Sequence, residues 1–159
     1  MKWIILAGSS NTRKTWTLTE VVIALVRSCG AQLISPAKLP TPNPPVPPDR
    51  WPYYNDDTYE LRHCGKLIVV KTDGDTPGVV DEGFKKAKDI NADVLISATR
   101  ARSQSGHLKI IDGKISSKLA EVFVIAALDH DDATKPEVVN WQYHHTIYPI
   151  LHKAGFLYP

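Results

Sequence analysis

Residues Gly8, Ser9, Ser10, Asn11, Thr12, Arg13, Lys14 and Thr15 read G-S-S-N-T-R-K-T, between the apolar run Trp3–Ala7 and a helix-like stretch from Trp16. One residue separates this octet from G-x-x-x-x-G-K-[ST]. In that pattern a chain leaves a buried strand, wraps phosphate with backbone N–H groups and enters a helix whose positive end faces the same anion. A loop of that kind would have Gly8 turn without a side chain in the way, Lys14 reach the outer phosphates, and the Thr15 hydroxyl ligate the Mg²⁺ that travels with a nucleoside triphosphate. The departure is Arg13, which stands where the pattern has Gly and puts a long charged side chain where backbone should approach phosphate. If the position is left-handed, a non-Gly residue costs about 1–2 kcal/mol there. If it is right-handed, Arg costs little and adds a charge-assisted contact to phosphate.

Other groups suited to chemistry lie further along. The apolar run Leu67–Lys71 ends at Thr72-Asp73-Gly74-Asp75, which also reads as a plain turn. Arg100 and Arg102 stand among Ser103, Ser105, Gly106 and Lys109, a composition that suits either a mobile lid over phosphates or a solvated basic loop. Arg50, Trp51, Tyr53, Tyr54, Tyr59 and Arg62 offer aromatic faces for bases and cations for phosphate, or the packing face of a rigid arm. Asp129, His130, Asp131 and Asp132 are read as a charged turn that is also placed to orient nucleotide or water. His144, His145 and His152 lack the i, i+4 spacing of a helical zinc site, so surface or half-buried histidines are expected.

The elements that must position these groups alternate strand, loop and helix. Strands are predicted at Lys2–Ala7, Gln32–Ser35, Leu67–Lys71, Asp93–Ala98 and Val122–Leu128. Helices are predicted at Thr15–Ser28, with Gly30 as a stop, at Gly78–Asn91, briefly at Ser116–Glu121, and at Pro136–Ala154 up to Gly155. Between strands four and five, Thr99–Lys114 reads as a polar, basic loop. Residues Pro36 to Pro52 hold eight of the 12 prolines, which forbids regular helix or central strand. The alternation implies a mostly parallel sheet of about five strands in a three-layer α/β sandwich, with ligands at the carboxyl ends of the strands. That edge would collect Gly8–Thr15, Asp73–Asp75, Thr99–Arg102 and Asp129–Asp132.

At 159 residues the chain suits a single domain, 1–159, with the Pro-rich insert at about 36–52. A hydrophobic content of 43% and a charged content of 23% are those of a globular rather than a disordered chain. A net charge of +2 gives no global case for nucleic acid binding. Cys29 and Cys64 make neither a disulfide framework nor a zinc site, and Cys29 is read as packing. With no signal-peptide core and no run of 18 apolar residues, a cytoplasmic chain that does not engage a membrane is expected.

The octet in this setting resembles the phosphate loop of P-loop NTPases, specifically small kinase-like members in which a strand ending in an acidic residue lies beside the loop-bearing strand. The pattern covers roughly residues 1–100, with only the first loop a sequence motif. The resemblance implies Lys14 on the β- and γ-phosphates, Thr15 on Mg²⁺, Asp73 or Asp75 as the second, acidic support of the metal, and Arg100 and Arg102 near the transferred group. The implied activity is Mg²⁺-dependent binding of ATP or GTP with hydrolysis of the γ-phosphate or its transfer to a small molecule or nucleotide. Two alternatives stay open. The Ser/Thr/Asn-rich loop also resembles the phosphate loop of flavodoxin-like FMN proteins, although Thr72–Pro77 and Thr99–Ser105 lack an aromatic to clamp a flavin. Arg13 leaves room for a non-catalytic interaction module, its partner a protein docked on the Pro-rich arm, where P-x-x-P spacings recur, or on the C-terminal helix.

Overall fold

The computed structural model describes residues 1–9, 13–43, 53–100, 106–127 and 141–156. Its element order is β1 (Lys2–Gly8), α1 (Lys14–Arg27), β2 (Gln32–Ser35), β3 (Thr58–His63), β4 (Lys66–Lys71), α2 (Pro77–Asp89), β5 (Val94–Arg100), α3 (Gly106–Ser116) and β6 (Glu121–Ala126). A π-helical turn, Tyr143–Ile147, then runs into α4 (Tyr148–Ala154). The strands form one sheet in the order β2-β3-β4-β5-β1-β6. The β4, β5, β1 and β6 pairings are parallel, and β2-β3 and β3-β4 are antiparallel.

The centre of this sheet explains why β1 is apolar throughout. Trp3, Ile4, Ile5 and Leu6 are all fully buried, because successive side chains enter opposite faces and both faces are covered. Ile4 and Leu6 join Ile96, Val21, Leu25, Ile150 and Leu151 on the side of α1 and α4. Trp3 and Ile5 join Leu95, Val80, Phe84 and Ile111 on the side of α2 and α3. The indole of Trp3 would be an unpartnered buried donor but for Ser97, whose Oγ accepts from Trp3 Nε1 at 2.9 Å.

Three differences from the sequence expectations matter. The sheet has six strands rather than five, because Thr58–His63 is a strand hidden in what reads as the approach to Leu67. Tyr59 and Leu61 point into the core while Glu60 between them meets Lys86 of α2, and a two-residue turn, Cys64-Gly65, with φ 48° and 77°, folds β3 onto β4. Positive φ at both turn positions matches the twist of a hairpin, which Gly takes without strain. The second difference is that α3 occupies most of the stretch expected to be loop and ends at Ser116, so the short helix expected at Ser116–Glu121 is absent: the chain turns over 117–120 and starts β6 at Glu121. Within α3, His107 and Ile111, one turn apart, are buried and Ile110 packs beside them, while Leu108 and Ile115 stay exposed. Thirdly, β5 separates β4 from β1, so the acid-bearing strand is not the neighbour of the loop-bearing strand.

The C-terminal helix is where expected over Trp141–Ala154, and it stops at Gly155, φ 90°. Pro149 explains its π-helical turn: the ring has no N–H to give and would crowd the carbonyl one turn back, so the coil widens just before it. His144 and His145 are exposed, in ring contact with Tyr148 and Trp141 respectively. Cys29 packs half-buried against the core, as read from the sequence, and Cys64 is exposed at the hairpin turn. Among the described residues, no helix is long and apolar enough to cross a membrane.

Candidate functional site

The carboxyl ends of β1, β4 and β5 come together at one edge of the sheet. Gly8 pairs in register with Arg100, and Arg100 Nε lies 3.1 Å from Asp75 Oδ1, so the ends of the three strands share one cleft. Arg13, Lys14, Thr15, Asp56, Thr72, Asp73, Gly74 and Asp75 line a space of about 190 Å³. Of the residues singled out by sequence, Gly8, Ser9, Arg13, Lys14, Thr15, Asp73, Asp75 and Arg100 therefore meet in space. Ser10, Asn11, Thr12 and Arg102 lie outside the described residues, as do Arg50, Trp51 and the cluster Asp129–Asp132.

Lys14 is the first residue of α1 and is 7% exposed. Its Nζ donates to the Ser9 carbonyl at 2.6 Å and the Gly8 carbonyl at 3.4 Å, which folds the side chain back over its own loop. Burial lowers its pKa; the nearby Asp75 carboxylate opposes that shift and Arg100 adds to it. Burial lowers the pKa of Arg13 as well. Two cations thus sit at the positive end of a helix that has no acidic residue in its first turn, an arrangement that disfavours both charges unless an anion joins them. Arg13 itself has φ 55° and ψ 33°, so the left-handed alternative holds and Arg occupies a conformation that Gly takes without strain.

Across the cleft the two aspartates differ. Asp75 is exposed and paired with Arg100. Asp73 is more enclosed; Lys71 Nζ lies 3.0 Å from its Oδ1 as an ion pair without hydrogen-bond alignment, and that buried oxygen has no hydrogen-bond donor. Gly74 between them is required by close packing, since a Cβ there would overlap the Ala98 carbonyl on β5. The end of β4 is thereby pressed onto β5, which fixes where the two carboxylates stand.

The residue that sequence reasoning missed is Asp56, which accepts a 2.7 Å hydrogen bond from the Thr15 hydroxyl. It precedes the strand that was also missed. The run Asn55-Asp56-Asp57 before the alternating Thr58–His63 is the signal that carried both. The aromatics of this region divide: Tyr59 is buried in the core, where its hydroxyl pKa is pushed up to about 12, chiefly by burial, so it is no platform for a base. Tyr54 donates to Glu20 Oε1 at 2.8 Å, and burial is the main cause that raises its pKa. Tyr53 remains exposed.

The donors facing the cleft are oxygens, namely the Thr15 hydroxyl and the carboxylates of Asp56 and Asp73. A hard oxygen set with one buried carboxylate oxygen lacking a donor fits Mg²⁺, which takes one or two carboxylates and draws its other ligands from water and phosphate. Among the described residues, no group of three or more His, Cys, Asp or Glu is placed to hold a metal by itself. Against family models, curated proteins and solved structures alike, the chain has no match.

Proposed function

We propose that the chain binds a nucleoside triphosphate, ATP or GTP, together with Mg²⁺ in the cleft at the start of α1, as a P-loop NTPase-like three-layer α/β protein, and hydrolyses the γ-phosphate or transfers it to a small acceptor. The observation that carries this reading is the pairing of opposite needs in one cleft. A buried cation, Lys14, stands at a positive helix end, and a buried carboxylate oxygen of Asp73 has no hydrogen-bond donor. A metal triphosphate would offer Lys14 an anion in place of the two loop carbonyls, and would offer the Asp73 carboxylate a second cation beside Lys71.

In this reading the Lys14 ammonium leaves the Ser9 and Gly8 carbonyls for the outer phosphates, and α1 adds its backbone N–H groups. Thr15 and Asp73 hold Mg²⁺, which when bound neutralises charge on the phosphate oxygens. Asp73 takes this role rather than Asp75, because Asp73 is the more enclosed and its Lys71 ion pair lacks hydrogen-bond alignment, whereas the exposed Asp75 accepts a hydrogen bond from Arg100. Arg100, released from Asp75, would then face the phosphates. Phosphoryl transfer asks little covalent chemistry of the protein, so placement and charge carry the rate.

A second reading, binding without turnover, draws support from Arg13, which holds a left-handed backbone at the position where the phosphate-loop pattern has Gly. No aromatic lines the cleft among the described residues, which weighs against a flavin. Calorimetric titration of the purified protein with ATP, GTP and FMN, each with and without Mg²⁺, tests the proposal. Triphosphate binding strengthened by Mg²⁺ is expected; FMN binding with a visible flavin spectrum would overturn it. Steady-state phosphate release then separates the enzyme from the binding module.

A further inference from the structure

We infer that Asp56 is a positioning residue of the metal shell and ties the base of the Pro-rich insert to the occupant of the cleft; the inference rests on the triphosphate reading above. Thr15 Oγ1 donates its one hydrogen to Asp56 Oδ1 at 2.7 Å. A hydroxyl so committed turns its lone pairs away from that carboxylate, which is the orientation a cation needs. Asp56 also brings a negative charge behind the ligand oxygen, the usual task of a residue one bond removed from a metal.

The segment that carries Asp56 is anchored on both sides of the cleft. Thr72, which immediately precedes Asp73, donates its backbone N–H to the Asp57 carbonyl at 3.0 Å; its hydroxyl accepts from Asp57 N at 2.8 Å and donates to the same carbonyl at 3.1 Å. Tyr54 is bonded to Glu20 on α1. Tyr53 pairs with Asn43 across the base of the insert, Asn43 N donating to the Tyr53 carbonyl at 2.8 Å. Five consecutive residues, Tyr53 to Asp57, thus touch the helix bearing Lys14 and Thr15, the strand end bearing Asp73, and the root of the insert. Whatever holds Thr15 and Asp73 also holds this segment.

The test uses Asp56→Asn and Asp56→Glu in the full chain, with ATP titrated at low salt in the presence of Mg²⁺ and again with a chelator, and with Lys14→Ala alongside. Asp56 is exposed, so both variants are expected to fold, and a thermal melt of each verifies it. Asp56→Asn should bind Mg²⁺–ATP about tenfold more weakly. It should bind metal-free ATP about twofold more tightly, because a negative charge has left the neighbourhood of a polyanion. Asp56→Glu should recover part of the Mg²⁺ effect. A merely structural role would weaken both titrations together. That result, or no change in either, overturns the inference while Lys14→Ala, binding poorly under both conditions, leaves the site reading standing. Wild-type protein that binds ATP in neither titration, or Lys14→Ala that binds as wild type does, overturns the site reading and this inference with it.

Discussion

At the start of α2, Thr76 is extended, its side chain accepts a hydrogen bond from Val79 N at 3.3 Å, and Pro77 fills the first helical position. At the start of α1, Arg13 is left-handed, no side chain caps the helix, and the first helical residue is a buried lysine. Both helices leave the same edge of the sheet, α2 onto one face and α1 onto the other. The first start satisfies its own N–H groups and stabilises the fold. The second forgoes the cap and accumulates positive charge, which suits a helix end that receives an anion.

The largest effect is expected where the contrast is sharpest. Lys14→Ala should weaken ATP binding more than tenfold, since a charge-assisted contact in a dry loop contributes about 1.5–3 kcal/mol, and should weaken ADP binding less. Unfolding by denaturant should show a stability within about 1 kcal/mol of wild type, because the buried ammonium is already disfavoured in the free protein. A large loss of stability with little change in ATP affinity would make Lys14 a structural residue and dissolve the comparison.

Thr76→Ala is the reciprocal change. It should cost about 1 kcal/mol of stability by loss of the cap and leave the ATP isotherm unchanged. Arg13→Gly sharpens the comparison from the other side. Removing a side chain from a left-handed position should raise stability by up to about 1 kcal/mol, less the entropy that Gly adds to the unfolded chain. It should also weaken ATP binding through the lost charge, by about 1–3 kcal/mol if the guanidinium meets phosphate. Tighter binding by Arg13→Gly, measured in the same titration, would mean that the side chain blocks the loop instead.

The smallest effect belongs to the far side of α2. Asp81 Oδ2 meets Lys85 at 2.7 Å and Asp81 Oδ1 meets Lys114 of α3 at 3.0 Å, and these two lysine hydrogen bonds hold its carboxyl below the ordinary aspartate value. A depressed folded pKa contributes stability that is present above the unfolded value, about 3.9, and is lost as pH falls through the folded one. Melts of wild type and Asp81→Asn should differ modestly at pH 7, with the Lys114 pair contributing about 0.5 kcal/mol, and converge only as pH falls below the ordinary aspartate value and through the depressed folded one. The site at α1 should show no such acid dependence on Asp81, since the pair ties α2 to α3 and lies away from the cleft.

Much of the framework was legible because it is local. The apolar runs at Lys2–Gly8, Lys66–Lys71 and Val94–Arg100 are strands for the reason read from them, burial on both faces, and the octet with the helix behind it declares the turn from β1 into α1. Two elements escaped. In β3 only Tyr59 and Leu61 mark the buried face, and alternation carried by two residues is easily lost beside an Asn-Asp-Asp run. In α3, the Gly, Lys and Asp residues of a half-exposed helix resemble a basic loop, and its spacing counts only once α2 and the sheet supply a surface to bury Ile111.

By itself, then, the sequence determined which residues form the loop, the helix after it and the parallel strands, since each depends on neighbours within a turn or two of chain. Tertiary structure alone decided that β5 stands between β1 and β4, that Asp73 is enclosed while Asp75 meets Arg100, and that Asp56 bonds Thr15 across 41 residues of sequence. It also decided that Arg13 is left-handed. Those outcomes depend on how the crossovers stack and how closely β4 approaches β5 at Gly74, and no periodicity along the chain encodes a distance between strands that meet only when the sheet has formed.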